Sequence, residues 1–289
     1  MINPKPNTLI IIFSKNRTLQ LKSLLKSIRY YSDINDNDIN IIYTTVPEIT
    51  YEHLLSEFDC NFIVQKNFLK DVNSLIETSS CKYVLFMVDD LIFRDSFSLR
   101  RVEELLGQHQ NIDCFSLRLG RNIENDLPPK FESFEDDILF WDTKPGLGLM
   151  WRYFWEVSSS IYRRELVLKY ISLCDPRKVN FPNPFESTYY YWIPSDIGGN
   201  FLKRFKRGLR LIGKRKPKRM ACFEISKCFT QGVNMVAERN IKFNTLYKPL
   251  ELHKKMLQGY IIDYLSLQDS LNNYPNMGET LFSLMKEKT

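Results

Sequence analysis

The sequence lacks any Cys-x-x-Cys pair, although it contains 6 cysteines in 289 residues. The cysteines lie scattered through apolar segments that read as strands and helices. Closely spaced pairs would favour a disulfide framework or a metal site. Scattered cysteines predict instead reduced, buried thiols in a cytosolic protein.

Long apolar runs are also missing. A transmembrane helix needs about 20 consecutive apolar residues, and no segment reaches that length. The first seven residues are polar and carry no apolar signal region. We therefore expect neither a membrane span nor a secretory leader, and we find no internal repeat.

What the chain does contain is an alternation of apolar runs and helical repeats. With 44% hydrophobic and 26% charged residues it can build a packed core, and most of its 13% aromatic residues are expected there. Such alternation favours an α/β fold with a doubly wound, mostly parallel central sheet flanked by helices. The predicted strands are 8–13, 39–43, 61–64, the part of the apolar run 82–93 that precedes Asp89, and 114–120. The predicted helices are 18–31, 51–58, 68–77 and 96–108.

Two adjacent carboxylates, Asp89 and Asp90, interrupt the apolar run 82–93. Carboxylates are rarely buried without a partner, so we place them at the carboxyl edge of the sheet, where ligands bind in open α/β folds. A Mg²⁺ or Mn²⁺ ion would relieve their repulsion. The alternative is a turn in which the two residues cap the following helix.

A polar turn of Ser14, Lys15, Asn16 and Arg17 follows the first strand and precedes a helix. A helix N-terminus with basic neighbours suits a phosphate or a nucleotide. The turn lacks the glycines of a P-loop, which excludes that class of site. An ordinary turn with exposed basic residues is the alternative.

The second half of the chain is less regular. Residues 121–137 are acidic and contain proline, which predicts a mobile loop. A short strand is predicted at 138–141, an aromatic run follows at 151–155, and helices are predicted at 164–172 and from Pro182, with Glu186 in the first turn. Strand-like sequence returns at 219–224, and an amphipathic helical tail is predicted from Lys248 onward.

Ten basic residues and no acidic one fall in the segment 203–219, which begins at Lys203 and ends at Arg219. Apolar residues alternate with them, which is typical of a basic surface helix that meets anionic lipid, nucleic acid or pyrophosphate. A solvated loop is the alternative.

Several of these blocks resemble known enzymes. The run from Ile10 to Arg17 and the stretch from Phe86 to Asp90 resemble glycosyltransferases of the GT-A fold, near the large inverting family two. Other blocks resemble more closely a bacterial group of uncharacterised glycosyltransferase-like proteins: 114–120, 220–224, 233–234 and 257–263. The resemblance covers most of the chain.

The resemblance implies a GT-A-like fold and transfer of a sugar from a nucleotide-sugar to an acceptor hydroxyl. It implies a nucleotide site at Ser14, Asn16, Arg17 and Asp89, and a metal site at Asp89 and Asp90. The sequence departs from the usual Asp-x-Asp, so either Asp90 holds the metal nearly alone or metal dependence is weak. No histidine matches the family's late ligand, and Asn234 is the substitute we consider.

The same resemblance places a carboxylate base at a helix start beyond the acidic pair. Glu186 fits best, and Glu156 and Asp196 are the other candidates. The aromatic run 151–155 either stacks on a sugar or packs in the core. His53, His109 and His253 are expected to be surface or packing residues.

The expected function is inverting, metal-assisted synthesis of a bacterial surface polysaccharide or glycan. Residues 1–120 would bind the nucleotide-sugar, 121–247 a glycan or lipid-linked acceptor, and 248–289 form the helical tail. The enzyme would be cytoplasmic, peripheral to the membrane through 203–219, with no nucleic-acid partner. The alternatives are a nucleotidyltransferase, or a non-catalytic membrane- or nucleic-acid-binding protein on a degenerate scaffold.

Overall fold

The computed structural model describes residues 7–124, 126–135, 137–190, 217–234, 247–268, 270, 273–278 and 281–287. The strands in these ranges are β1 (Thr8–Lys15), β2 (Ile39–Thr44), β3 (Asn61–Val64), β4 (Tyr83–Val88), β5 (Leu91–Phe93), β6 (Cys114–Ser116), β7 (Glu132–Glu135), β8 (Ile138–Asp142), β9 (Ser160–Arg163), β10 (Arg219–Phe223), β11 (Cys228–Thr230), β12 (Tyr260–Ile262) and β13 (Leu284–Lys286). The α-helices are α1 (Thr18–Tyr31), α2 (Glu52–Glu57), α3 (Phe68–Thr78), α4 (Leu99–Gln108), α5 (Leu149–Arg152), α6 (Arg164–Ser172), α7 (Pro182–Tyr190) and α8 (Pro249–Leu257).

Nine of the described strands form one sheet in the order β3-β2-β1-β4-β9-β6-β10-β8-β7. β3, β2, β1 and β4 are parallel neighbours, and β10 is parallel to β6. β9 runs against β4 and β6, and β8 runs against β10 and β7. The predicted α/β fold with a mostly parallel sheet flanked by helices is confirmed.

The two faces of the sheet bury separate apolar clusters. Alternate residues of β1 point to opposite sides, as a strand's period of two requires. Ile10 and Ile12 join the cluster with α1, α4 and α8, whereas Ile11 and Phe13 join the cluster with α3, α6 and α7. Burial on both faces explains why β1 and β4 read as continuous apolar runs.

The strand predicted in the run 82–93 ends at the acidic pair, as expected, and a second strand follows the pair. β4 ends at Val88, and Asp89 and Asp90 form a turn. β5 then leaves the main sheet and pairs antiparallel with β11. Residues 91–93 are apolar because they are buried in this second strand pair. The apolar run 82–93 therefore contains two strands.

β7, β9 and β11 were also missed. β9 was read only as the approach to α6, because three serines precede its few apolar residues, yet it inserts between β4 and β6. β7 lies in the predicted mobile loop and pairs with β8 at the sheet edge. Short strands that carry polar residues give too few periods for a pattern to detect.

The predicted helical tail is wrong beyond Leu257. α8 ends before Gly259, whose φ of 82° lies in the left-handed region that commonly terminates helices. β12 then pairs antiparallel with β13. The division into ranges 1–120, 121–247 and 248–289 stays a prediction.

All six cysteines are unpaired, as predicted, and Cys114, Cys222 and Cys228 are buried. The other three are only partly buried. Within the described ranges, every helix falls short of the length and apolar character that a bilayer crossing needs.

Candidate functional site

The polar turn after β1 takes a left-handed conformation without glycine. Asn16 has a φ of 57°, which asparagine tolerates better than most residues. Its backbone N–H donates to the Thr44 carbonyl at 3.2 Å, and its Oδ1 accepts from the Val46 N–H at 3.0 Å. These bonds fix the turn to the end of β2, and α1 starts at Thr18 with no side-chain cap among the described contacts.

Asp89 is buried directly beside this turn, with 3% of its surface exposed. Its Oδ2 accepts from Ser14 Oγ and from the Lys15 N–H, both at 2.9 Å, and its Oδ1 accepts from Arg17 Nη1 at 3.0 Å. Burial raises the pKa of Asp89 to about 6, while Arg17 acts in the opposite direction. The carboxylate is therefore largely ionised at pH 7 and is tied to the turn.

Arg17 joins the acidic pair to a distant part of the chain. The same Nη1 donates to Asp90 Oδ2 at 2.7 Å. Its Nε donates to Asn234 Oδ1 at 2.8 Å, and its Nη2 donates to the Asn234 carbonyl. Burial lowers the pKa of Arg17, but Asp90 and Asp89 raise it by more, so the net pKa is raised and the guanidinium stays charged.

Three buried amide side chains surround this network with polar atoms that have no partner in the described part of the chain. They are Gln20 Oε1, Asn234 Nδ2 and both polar side-chain atoms of Gln231. Gln20 also donates to Asn234 Oδ1 at 3.0 Å, and the Gln231 N–H donates to the Asp90 carbonyl at 2.7 Å. Buried polar groups are normally satisfied, so this region is built to hold water or a polar group.

The acidic pair does not fit the predicted chelate for Mg²⁺ or Mn²⁺. Asp89 already accepts three hydrogen bonds, and Arg17 lies between the two carboxylates. Among the described residues, no group of three or more histidine, cysteine, aspartate or glutamate side chains is arranged to hold a metal ion. Asp90 is the more accessible of the two carboxylates and remains a possible ligand.

A surface cavity of about 400 Å³ adjoins the turn at the carboxyl end of β2. The rings of Tyr43 and Tyr51 stack in it at 4.3 Å between centroids. The Tyr51 hydroxyl lies 2.8 Å from Ser14 Oγ, so the cavity and the Asp89 network share a hydrogen bond. Tyr51 is buried and Tyr43 is half-buried, so Tyr43 is the ring that can stack on a planar heterocycle in the cavity.

A second cluster holds two of the predicted catalytic carboxylates. Glu156 is buried, forms an ion pair with Arg118, and accepts from Ser160 Oγ at 2.5 Å. Glu186 lies in the middle of α7 and not in its first turn as predicted, because the helix begins at Pro182. It accepts from the Val157 N–H at 2.8 Å and from the Tyr153 hydroxyl at 3.3 Å. Burial raises the pKa of Glu186 to about 7, so this carboxyl group is only partly ionised at neutral pH.

The two clusters lie on the same edge of the sheet. Ser160 at the start of β9 is the pairing partner of Phe86 in β4. Asp89 follows Phe86 by three residues, which is about 10 Å along an extended strand. Glu156 contacts Ser160, so its cluster and the acidic pair both lie toward the carboxyl end of β4.

The predicted site residues thus fall into two groups. Ser14, Asn16, Arg17, Asp89 and Asp90 come together, and Asn234 joins them. Glu156 and Glu186 form the neighbouring cluster. Asp196 and residues 203–216, which form most of the basic segment, lie outside the described residues. The last two cations of the segment form ion pairs: Lys218 pairs with Asp113 at 2.8 Å, and Arg219 pairs with Glu132 and Asp142.

The aromatic run is core rather than sugar platform at most positions. Trp151, Phe154 and Trp155 are buried, with at most 1% exposed. His253 is also a packing residue, with Nδ1 2.8 Å from Thr18 Oγ1. Sequence reasoning missed Arg118, Gln20 and Gln231, because nothing in their local sequence distinguishes them from ordinary helix or strand residues.

We compared the chain with known proteins. No family model matches it. The bifunctional glycosyltransferase pgtA of Dictyostelium discoideum is 27% identical over 212 residues, which cover 61% of this chain and 27% of that protein. This chain is similar to a glycosyltransferase. It spans about a quarter of the length of that relative.

Solved structures are more distant. TarS of S. aureus superposes with a TM-score of 0.43 and 15% identity, over 71% of this chain and 38% of TarS. The mannosyltransferase PcManGT of Pyrobaculum calidifontis, in complex with GDP-Man and Mn²⁺, superposes with a TM-score of 0.38 and 10% identity, over 65% of this chain and 52% of PcManGT. A cytidylyltransferase of Leptospira borgpetersenii superposes with a TM-score of 0.38 and 10% identity, over 64% of this chain and 73% of the cytidylyltransferase. At these TM-scores the neighbours add nothing to the assignment of an activity.

Proposed function

We propose that this protein is a glycosyltransferase that moves a sugar from a nucleotide-diphosphate sugar to an acceptor hydroxyl. The observation that carries the proposal is the joint placement, on one sheet edge, of an anion-binding turn tied to buried Asp89 and of Glu186 with a pKa of about 7. The similarity to pgtA supports the same class of reaction.

The donor would bind across the turn between β1 and α1. The first N–H groups of α1 and the charges of Lys15 and Arg17 favour a diphosphate at this position. Tyr43 would stack on the base in the neighbouring cavity, with the buried ring of Tyr51 packed behind it. Ser14 links the two subsites, because it bonds both Tyr51 and Asp89.

Glu186 is the carboxylate that we assign as the general base. A base works best when its pKa lies near the working pH, and the value of about 7 meets that requirement. Glu156 is less suitable, since its carboxylate is already engaged by Arg118 and Ser160. Glu186 would accept the proton of the acceptor hydroxyl as that oxygen attacks the sugar.

The finer parts of the proposal follow from the resemblance. They are inversion at the sugar carbon, synthesis of a surface polysaccharide or glycan on a lipid-linked or glycan acceptor, and a cytoplasmic enzyme held at an anionic membrane by residues 203–219. Metal assistance by Mg²⁺ or Mn²⁺ was also predicted. The Arg17 contacts give it no support, so no step here is assigned to a metal.

Binding of nucleotides tests the proposal directly. Purified protein would be heated with UDP-, GDP- and CMP-sugars and with the free nucleotides, and donor hydrolysis would be followed in parallel. A ligand at a hundred times its dissociation constant stabilises the folded state by about 2.7 kcal/mol, which raises Tm measurably. We expect one nucleotide class to raise Tm and its sugar conjugate to be hydrolysed.

Tyr43→Leu provides the site-specific arm, because it removes one stacking ring from the cavity. Loss of one base–aromatic stack costs about 1–3 kcal/mol, so we expect nucleotide affinity to fall about tenfold or more. Tyr30→Leu, on the exposed side of α1, is the matched control. Failure of every nucleotide-sugar to bind or react would favour the non-catalytic scaffold, whereas nucleoside triphosphate turnover would favour the nucleotidyltransferase.

A further inference from the structure

We propose that Arg17 is the resident cation of the candidate donor site, and that nucleotide diphosphates bind there without a divalent metal ion. The nucleotide part rests on the proposed function. The part that concerns metal exclusion rests on the geometry of Arg17 alone and is tested separately.

Arg17 occupies the place between the carboxylates at which a shared metal ion would lie. One nitrogen, Nη1, contacts Asp89 Oδ1 at 3.0 Å and Asp90 Oδ2 at 2.7 Å. Both carboxylates therefore accept a charge-assisted hydrogen bond from the same nitrogen. A metal that used both groups would have to displace the guanidinium first.

Displacement is opposed from the other side of the guanidinium. Nε and Nη2 of Arg17 both donate to Asn234, to its side-chain oxygen and to its carbonyl. Arg17 is buried, with 9% exposed. Moving it would break all four hydrogen bonds and leave a buried charge without partners, which is strongly unfavourable.

Asp89 is held independently of Arg17. Ser14 Oγ and the Lys15 N–H both donate to its Oδ2. Its orientation is thus set by β1 and the turn, and a cation is not needed to hold it there. Asp90 is the more exposed member of the pair, with 16% of its side chain accessible against 4% for Asp89.

The charge balance explains how such a site would accept an anion. Two carboxylates and one guanidinium give −2 + 1 = −1, and Lys15 in the same turn brings the formal sum to zero. Without Arg17 the site would be more negative by one charge and would repel a diphosphate. In metal-dependent sites an ion serves this purpose, and here a side chain supplies the charge.

The decisive experiment measures Mn²⁺ binding in the absence of nucleotide, by the loss of the free-ion EPR signal. We expect the wild-type protein to show no saturable binding that depends on Asp90. Arg17→Gln leaves two adjacent carboxylates without their cation, and we expect it to bind Mn²⁺ about tenfold more tightly or better. Asp90→Asn in the Arg17→Gln background should abolish that gain.

Nucleotide binding forms the second arm. Titrations with the nucleoside diphosphate that binds best would be run in EDTA and in Mn²⁺. We expect the affinity of the wild type to differ by less than about threefold between the two, since a tenfold change would already represent 1.4 kcal/mol of coupling to the metal. Arg17→Gln should lose affinity in EDTA and recover part of it in Mn²⁺.

Two further variants keep the test decisive. Arg17→Lys retains the charge and is expected to bind no more Mn²⁺ than wild type, whereas Arg29→Gln, on the same helix in an exposed pair with Asp36, should leave both arms unchanged. Circular dichroism and Tm establish that each variant folds. If Arg17→Gln does not fold, Mn²⁺ binding by the wild-type protein still tests the inference.

Saturable, Asp90-dependent Mn²⁺ binding by the wild type would overturn the inference, as would a rise in nucleotide affinity of about tenfold or more on adding Mn²⁺. If no nucleotide binds at all, the proposed function fails. The Mn²⁺ arm then still reports whether Arg17 excludes the metal.

Discussion

Glu156 and Glu186 carry the same chemical group in different surroundings. Glu156 is paired with a buried arginine, Arg118, which occupies one of its oxygens. Glu186 accepts only a backbone N–H and a tyrosine hydroxyl, and burial raises its pKa to about 7. Of the two, Glu186 is the carboxyl group suited to proton transfer, because its pKa lies near neutrality.

Glu186→Gln is therefore expected to lower turnover about 10²–10⁴-fold, the range for removal of a general base. Nucleotide affinity should change little, because Glu186 belongs to the other cluster. The wild-type rate should rise with pH through about 7, since the base must be ionised to accept a proton. The measurement is single-turnover sugar transfer between pH 5 and pH 9.

Glu165→Gln, at an exposed position in α6, is the control and should keep both the rate and its pH dependence. The stability of the folded protein gives a second readout of the same group. A carboxyl group with a raised pKa stabilises the folded state below its unfolded pKa, and this contribution is lost as pH rises through the folded value. Glu186→Gln should thus have a higher Tm than the wild type at pH 8 but not at pH 5. An equal change in Tm at both pH values would contradict a raised pKa for Glu186.

At the scale of elements, long amphipathic helices and buried parallel strands were predictable from sequence. α1 begins and ends at the predicted residues, 18 and 31, and β3 matches its predicted range of 61–64. The pattern of α1 extends over enough residues to define a period, whereas β3, with four residues, is recognisable only by its β-favouring composition. β9 and β13 are too short for this, and their existence depends on partners distant in the chain.

The candidate site was predictable in part for a related reason. The rule that parallel strands end at a common edge brought the turn after β1 next to Asp89 and Asp90. It did not show that Arg17 reaches both carboxylates, because that contact depends on side-chain direction and on Asn234, 217 positions away. Arg118 could not be predicted at all, since one charged residue after a short apolar strand carries no distinctive signal.

The end of α8 offers a prediction at the same scale. Gly259 has a φ of 82°, and a Cβ atom there would meet no neighbour within 4 Å. Gly259→Ala should therefore destabilise the protein through backbone strain alone, by about 1 kcal/mol. Gly107→Ala is the matched comparison within α4, where the new Cβ would lie 3.8 Å from the Tyr83 hydroxyl.

Since alanine is the better helix former, Gly107→Ala should be neutral or stabilising by up to about 1 kcal/mol. Urea denaturation measures both changes as shifts of the midpoint at constant slope. Opposite signs for the two substitutions are the expected result. A destabilisation of equal size at both positions would mean that local packing, rather than the left-handed conformation, governs Gly259.

For the whole molecule, an ion-pair network joins the last strand to the first helix. Lys22 and Lys26 of α1 each contact both Glu57 and Glu287, at 2.6–2.9 Å. Glu57 ends α2, and Glu287 follows β13. The network therefore connects the β12–β13 pair to the helix whose N-terminus forms the candidate donor site.

Glu287→Gln is expected to loosen this connection. Partly exposed ion pairs contribute at most about 1 kcal/mol, so the loss of stability should be small, and it should shrink in high salt because the charges are screened. Lys22 and Lys26 overcome the effect of burial and lower the pKa of Glu287. A carboxyl group with a lowered pKa stabilises the folded state above its unfolded pKa, and this contribution disappears as pH falls through the lower folded value.

Hydrogen exchange distinguishes this specific role from a general loss of charge. Amides of β12 and β13 should exchange faster in Glu287→Gln, with little change in β1 and β4, which lie in the centre of the sheet. Asp175→Asn removes an exposed ion pair with Arg177 that joins no separate elements, and it should leave these rates unaltered. Because α1 lies between the tail and the turn, faster exchange that also reached residues 16–20 would show that the tail helps to hold the donor site in place.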